Sequence, residues 1–276
     1  MTHPSATWAV ALFRRSVLKQ AKLKAIVALV GDIEGKTCLD LGGDNGVISH
    51  LLRCRGGEWS SADLGADHVA SIRELVGERV WELDGASLPF PDGAFDVVVV
   101  VDLLEHIEAD LAFAGELGRV LKPGGLLVVN VPHVKRRSLI NRIRTAVGLT
   151  DAWHGHVRPG YTIEDLARLL HPLFRLERSQ TYSKAFSEAI DVALNVLYGG
   201  LAHARRGPAG GPSKGTVLMR RDVEKRRRQF WLLSLGYPFL WAVSRLDGVL
   251  FWQTGYRLIV RARRVDETAA GEGGPT

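Results

Sequence analysis

The run DVVVVVD, residues 96–102, restricts what this chain can fold into more than any other stretch. Five consecutive valines favour an extended backbone, because β-branched side chains pack well on a pleated surface. The run does not alternate with polar residues, so both faces of the strand must be covered. That is the pattern of a parallel sheet flanked by helices. The neighbouring sequence agrees. TCLDL (37–41), EWSSAD (58–63), RVWEL (79–83) and LLVVNV (126–131) read as further strands. Gly46–Arg55, Ala66–Val76 and His106–Leu121 read as helices between them, with LPFPDGAF (88–95) a loop and KPGG (122–125) a helix stop. Strands alternating with helices at this spacing predict a doubly wound α/β sheet with right-handed crossovers. Ligands then bind at the carboxyl ends of the strands, near the point where strand order reverses.

The regularity weakens after Pro132. KRRSLINRIRTAVG (135–148) is a basic helix candidate, and TIEDLARLL (162–170) a short helix with Thr162 as N-cap and Asp165 three residues on. FRLERSQTY (174–182) and GYRLIVRARR (255–264) read as the last two strands. The long interval between them holds AFSEAIDVALNVLYGGLA, the linker ARRGPAGGPSKG, the basic run 220–228 and the apolar, tryptophan-rich segment 230–252, whose apolar run 231–243 is too short to span a bilayer and is further broken by Gly236 and Pro238. Residues 7–30 read as one helix with Lys and Arg on its polar face. The predicted organisation is a basic N-terminal helix (1–36), a core (37–182), a helical and partly apolar insertion (183–252), a last core strand (253–264) and a disordered tail (265–276).

Charge divides along the same lines. Residues 37–133 hold six Lys/Arg against sixteen Asp/Glu, residues 1–36 six against two, and residues 134–276 twenty-four against twelve. Basic flanks suit a nucleic-acid partner, an anionic lipid surface or simple solubility. Cys38 and Cys54 cannot make a disulfide framework and read as reduced thiols. The first residues lack the basic-then-apolar order of a secretory leader. The expected location is therefore cytoplasmic, with peripheral attachment at the inner face of the membrane if the insertion meets lipid.

The loop LDLGGDNG (39–46) follows the first strand. Its glycines fall at Gly42, Gly43 and Gly46, whereas a nicotinamide loop needs them at relative positions 0, 2 and 5. A P-loop needs a terminal Gly-Lys-Ser/Thr, and none is present. At these residues the chain resembles the class I S-adenosylmethionine (SAM) dependent methyltransferases, whose first motif runs acid, x, Gly, x, Gly, x, Gly. Here it reads Asp40, Leu41, Gly42, Gly43, Asp44, Asn45, Gly46. The resemblance continues in order through Asp63, LDGASLPFPDGAFDVVVVVDLLEHI (83–107) and RVLKPGGLLVVNVP (119–132). It implies a Rossmann-like, mostly parallel seven-stranded sheet with an N-terminal helix and a helical insertion before the last strand. It also implies SAM as cofactor, held by Asp40, Gly42, Gly43, Asp44, Gly46, Asp63, Leu64, Asp84, Gly85, Ala86, Asp102 and Leu103. In that family the counterpart of Asp63 sits on the ribose hydroxyls, and that of Asp84 accepts from the adenine amine. Asp44 departs from the pattern: its carboxylate can repel the methionine carboxylate of SAM or bind its ammonium.

Methyl transfer to an O–H acceptor benefits from a general base. The candidates are His133, just past the fifth strand, and His154, His156 and Tyr161 in WHGHVRPGY (153–161). His154 and His156 flank one glycine, but no cysteine or acidic cluster accompanies them in sequence, so no metal is assigned. The expected acceptor is a small molecule such as a lipid, quinone or lipid-linked sugar. Segment 220–252 reads as an active-site cap, an attachment to anionic membrane or a dimer interface, and the oligomeric state stays open. The alternatives are a SAM-binding protein without turnover and, less favoured, an RNA methyltransferase. The Asn/Asp-Pro-Pro-aromatic motif of nucleic-acid enzymes is missing after the fourth strand, where DLLEH stands.

Overall fold

The computed structural model describes residues 6–135, 138–147, 149–150, 155–203 and 227–265. Seven strands form one sheet: β1 (Thr37–Leu41), β2 (Glu58–Leu64), β3 (Val80–Leu83), β4 (Phe95–Val101), β5 (Leu121–Pro132), β6 (Phe174–Tyr182) and β7 (Arg257–Arg264). Their order is β3-β2-β1-β4-β5-β7-β6. β7 runs antiparallel to both β5 and β6, and the other pairings are parallel. Strand order reverses between β1 and β4, so the carboxyl ends of Leu41 and Val101 open the crevice where such sheets bind ligands.

The valines of β4 account for the layering. Val97, Val99 and Val101 face a helical layer built on α2 (Val17–Val30) and α3 (Val47–Arg53), where Ile26, Leu29 and Leu52 lie. Val98 and Val100 face the opposite layer, in which α5 (Asp110–Val120) and α7 (Ile163–Leu170) bring Phe113, Leu117 and Leu166. All five valines are buried. Each fully buried valine contributes roughly 1.5–3 kcal/mol relative to exposure. α4 (Ala66–Val76) packs on β2 and β3.

Three local features differ from the sequence reading. The predicted helix 7–30 is two helices, α1 (Ala6–Phe13) and α2, because the Ser16 side chain accepts from Lys19 N at 3.2 Å and starts a new helix. His106 does not begin the helix after β4. It ends a short 3-10 turn, Leu104–His106, and α5 starts at Asp110. Gly236 and Pro238 do not interrupt the apolar segment either, since α9 (Arg227–Arg245) runs through both. At Thr162 the capping box is complete, with Asp165 N donating to Oγ1 at 3.1 Å and Thr162 N donating to Asp165 Oδ2 at 3.0 Å.

α6 is Leu139–Ala146. The insertion between β6 and β7 carries α8 (Ala185–His203) and α9, which pack on each other and on α2. Asp247 accepts from Lys184 N at 2.7 Å and Phe186 N at 2.9 Å, so one of the few charges of the apolar segment caps the start of α8. The linker, most of the basic run 220–228 and tail residues 266–276 lie outside the described residues. No described helix is long and apolar enough to cross a membrane. Cys38 and Cys54 are both free thiols, and burial pushes that of Cys38 up to about 12.

Candidate functional site

The glycine loop closes tightly between β1 and α3. Gly46 caps α3 with φ 79°, and a Cβ there would lie 2.8 Å from the Ile72 Cα. At Gly43 a Cβ would meet the Ser49 Oγ at 2.4 Å. At Gly46 the left-handed φ and the neighbouring backbone require glycine, and at Gly43 a Cβ would have to displace the Ser49 side chain. Asp44 stands between them with φ 54°, a left-handed conformation that Asp adopts more readily than most residues. Its N–H donates to Asp63 Oδ2 at 2.9 Å, and Leu64 N donates to Asp63 Oδ1 at 2.8 Å. Asp63 thus ties the end of β2 to the loop. Gly42 N donates to Ala62 O at 3.0 Å, which fixes the loop to the same strand.

The other predicted cofactor residues divide by position. Asp40 is fully buried beside Ser61, which donates to its Oδ2 at 3.2 Å; burial pushes its carboxyl up against the pull of Arg53 and Ser61. It supports the loop from beneath. The Asp84 carboxylate accepts from Ala86 N at 2.8 Å and Ser87 N at 2.9 Å, and those backbone bonds hold its pKa below the ordinary value. It therefore builds the turn that carries Gly85 and Ala86, which sits beside Leu64 and Ile107. Asp102, at the mouth of β4, has φ 44°. Leu103 is buried in the core behind it.

Two lysines of α2 reach this cleft, and the sequence reading did not single them out. Lys19 Nζ lies 3.0 Å from Asp44 Oδ2 and 3.2 Å from Asn45 Oδ1. Lys22 Nζ pairs with Asp102 Oδ2. Asp102 also accepts from Asn130 Nδ2 at 2.8 Å, and Tyr182 donates its hydroxyl to Asn130 Oδ1 at 2.5 Å. Asn130 is the one polar residue within the apolar run LLVVNV, and that interruption was the available signal. The lysines read as part of an ordinary polar helix face, so only tertiary packing identifies them. Next to this network Arg257 lies 3.6 Å from the buried Glu188, whose carboxyl burial pushes up while Arg257 pulls it down.

On the β5 side, His133 N donates to Tyr256 O at 2.9 Å, and the ring approaches Gly255 O at 2.9 Å through Nδ1. A carbonyl only accepts, so the proton sits on Nδ1 and Nε2 carries the lone pair. His133 borders a cavity of about 760 Å³ that is also lined by Val134, Leu139, Ile140, Phe186 and Tyr256. Tyr161 forms a bridge with His133 but turns its hydroxyl away. That hydroxyl contacts Asp110 Oδ2 at 2.9 Å and Leu104 O at 3.2 Å, and accepts from Arg158 at 2.9 Å. Burial pushes it up to about 12, and its partners hold it away from the cavity beside His133. His156 packs against the His106 ring rather than beside His133, with centroids 4.9 Å apart. His154 lies outside the described residues.

Residues 39–129 match a family model described as a methyltransferase domain. The demethylmenaquinone methyltransferase of Tropheryma whipplei (strain Twist) is 29% identical over 109 residues, 38% of this chain and 46% of that protein. The 2-methyl-6-phytyl-1,4-hydroquinone methyltransferase of Synechocystis sp. is 38% identical over 100 residues, 34% of this chain and 31% of that protein. The chain thus spans less than half the length of these curated relatives. In three dimensions it is similar to an S-adenosylmethionine dependent methyltransferase from Mesorhizobium loti, with a TM-score of 0.54 at 16% identity, covering 88% of this chain and 98% of that one. The family-model match takes in the glycine loop, β2 and the strands up to β5, and ends before His133 and the insertion.

Proposed function

We propose that this chain, whose residues 39–129 match a methyltransferase-domain model, is a class I SAM-dependent methyltransferase that transfers a methyl group from SAM to a hydrophobic small-molecule acceptor of quinone or lipid-like chemistry. The reading rests on one observation above the others: the loop Gly42–Gly46 forms a tight cradle that leaves no room for a Cβ at Gly46, with the Asp63 carboxylate beside it. Gly42, Gly43, Asp44 and Gly46 would hold the amino-acid end of SAM, helped by the free N–H groups at the start of α3. Asp63 and Leu64 would meet the ribose, and the turn of Asp84, Gly85 and Ala86 the adenine. When bound, SAM supplies an already activated sulfonium methyl, so the protein chiefly aligns the acceptor and excludes water.

Lys19 bears on the departure at Asp44. Its ammonium neutralises that carboxylate at 3.0 Å, which removes the repulsion toward a second carboxylate brought by the ligand. Lys22 and Asn130 hold Asp102 at the mouth of β4 in the same way. His133 would take the proton of an acceptor hydroxyl at Nε2, in the tautomer that Gly255 O imposes.

Two features support a hydrophobic acceptor. The cavity beside His133 has mainly apolar and aromatic walls. On α9, Trp231, Leu235 and Phe239 follow one another at four-residue steps and are 63%, 68% and 71% exposed, so they share one outward face. Trp252 and Phe251 extend the apolar surface beyond the helix. Such a surface beside a basic segment suits in-plane contact with anionic lipid, where a quinone or lipid acceptor resides. The test incubates the protein with methyl-labelled SAM and reduced quinones in anionic vesicles. Label in the lipid extract, with the protein floating alongside the vesicles, is the expected result. Label confined to water-soluble acceptors, with no flotation, would overturn the hydrophobic assignment.

A further inference from the structure

We propose that Glu105, His106 and His156 form a binding site for a divalent first-row transition cation at the carboxyl end of β4. One ligand atom from each residue lies within 4.8 Å of the others. Glu105 and His106 come from the 3-10 turn after β4, and His156 from the segment before Tyr161. No cysteine or acidic residue adjoins His156 in sequence, which is why the local pattern assigned no metal; the fold supplies the carboxylate from another element.

The cluster is held by the backbone around it. Val157 N donates to Glu105 O at 2.9 Å, and Arg158 Nη2 donates to Ile107 O at 2.8 Å and Glu108 O at 2.9 Å. These bonds lay residues 155–158 along residues 104–108. His106 Nδ1 lies 3.0 Å from Gly155 O. The carbonyl can only accept, so the proton sits on Nδ1 and the Nε2 lone pair is directed elsewhere. A backbone carbonyl that fixes the tautomer of a histidine in this way is the usual outer support of an imidazole metal ligand. The His106 and His156 rings meet edge to face at 85°.

The donor chemistry narrows the cation. One carboxylate and two imidazoles suit zinc, manganese, iron or cobalt, and leave coordination positions open. Calcium and magnesium prefer all-oxygen sets. Ligand atoms around such an ion stand about 3–4 Å apart at bond lengths near 2.1 Å. The half-buried His156 must move toward the other two ligands to reach that spacing. Glu105 is 1% exposed and His106 8%, so two of the three ligands are held within the protein.

The site begins three residues after Asp102 and is joined to the His133 strand end through the Tyr161 hydroxyl, 3.2 Å from Leu104 O. A cation there would bind an acceptor oxygen and lower its pKa. That role rests on the methyltransferase reading, whereas cation binding does not, so the test uses neither SAM nor acceptor.

Tag-free, chelator-stripped full-length chain is titrated with Co2+, followed by calorimetry and by the visible d–d absorption. About one equivalent should bind with micromolar or tighter affinity and be displaced by Zn2+. His156→Ala and Glu105→Gln should each weaken binding about 100-fold. Cys54→Ser, which breaks the exposed His50–Cys54 pair at 3.8 Å, should leave it unchanged. If Glu105→Gln does not fold, the half-buried His156→Ala decides. Absence of a stoichiometric Co2+ spectrum, or one that His156→Ala leaves intact, overturns the site.

Discussion

The two sides of the cleft are built from different materials. Toward β2 and β3, the groups of the proposed cofactor side are backbone amides and short carboxylates that hold one another: Asp63 on the N–H of Asp44 and Leu64, and Asp84 on those of Ala86 and Ser87. Toward β5 and β7 they are an imidazole and aromatic side chains carried by separate segments: His133 at a strand end, and Phe186 and Tyr256 from the two sides of the insertion. The first side is fixed by local chain geometry and suits one invariant ligand. The second can change its lining through the insertion without disturbing the sheet, which suits acceptor specificity.

Substitutions on each side should therefore move different quantities. His133→Ala has the largest expected effect: turnover falls about 10²–10⁴-fold with SAM affinity unchanged, measured by initial rates and calorimetry on the same preparation. Equal loss of SAM affinity would dissolve the distinction between the sides. Asp63→Ala should do the reverse. Removing the carboxylate frees the Asp44 and Leu64 N–H groups and weakens SAM binding about 100-fold, while KM for the acceptor holds.

Lys19→Met is a finer probe. Lys19 and Asp44 side chains are 31% and 52% exposed, so the pair contributes at most about 1 kcal/mol. SAM affinity should fall up to about fivefold at low salt, with the difference shrinking as salt screens the pair. A tighter-binding variant would mean that Asp44 is more useful to the ligand unpaired.

Glu177→Gln lies away from the cleft, on β6, and should leave both ligands untouched. Arg263 and then Arg261 hold the Glu177 carboxyl down to about 2 from its usual 4.5. A depressed folded-state pKa contributes stability above about 4.5 that is lost as pH falls toward 2. Thermal melts should show the wild type exceeding the variant slightly at neutral pH, with the gap closing across that window.

The same contrast explains what could be read in advance. The sheet was legible because β4 announces burial on both faces and the glycine spacing excludes other nucleotide loops. Burial, turn chemistry and capping act over a few residues, so Asp63, Gly46 and Thr162 carry their signals locally. Lys19, Lys22 and the meeting of Glu105 with His156 depend on which helix or loop crosses the strand ends, and no short window encodes that. Tyr161 shows the converse case. It stands in a promising polar stretch, yet its hydroxyl is taken by Asp110, Arg158 and Leu104. In α9 the propensity argument against helix at Gly236 and Pro238 was overridden, since α9 packs against both α8 and α2.

The central claim is that the loop Gly42–Gly46 holds SAM despite Asp44. Isothermal calorimetry of the purified chain with SAM and with S-adenosylhomocysteine tests it directly. One site of micromolar affinity, about −8 kcal/mol, with a matching rise in Tm is the expected result. No heat and no thermal shift with either ligand would contradict it.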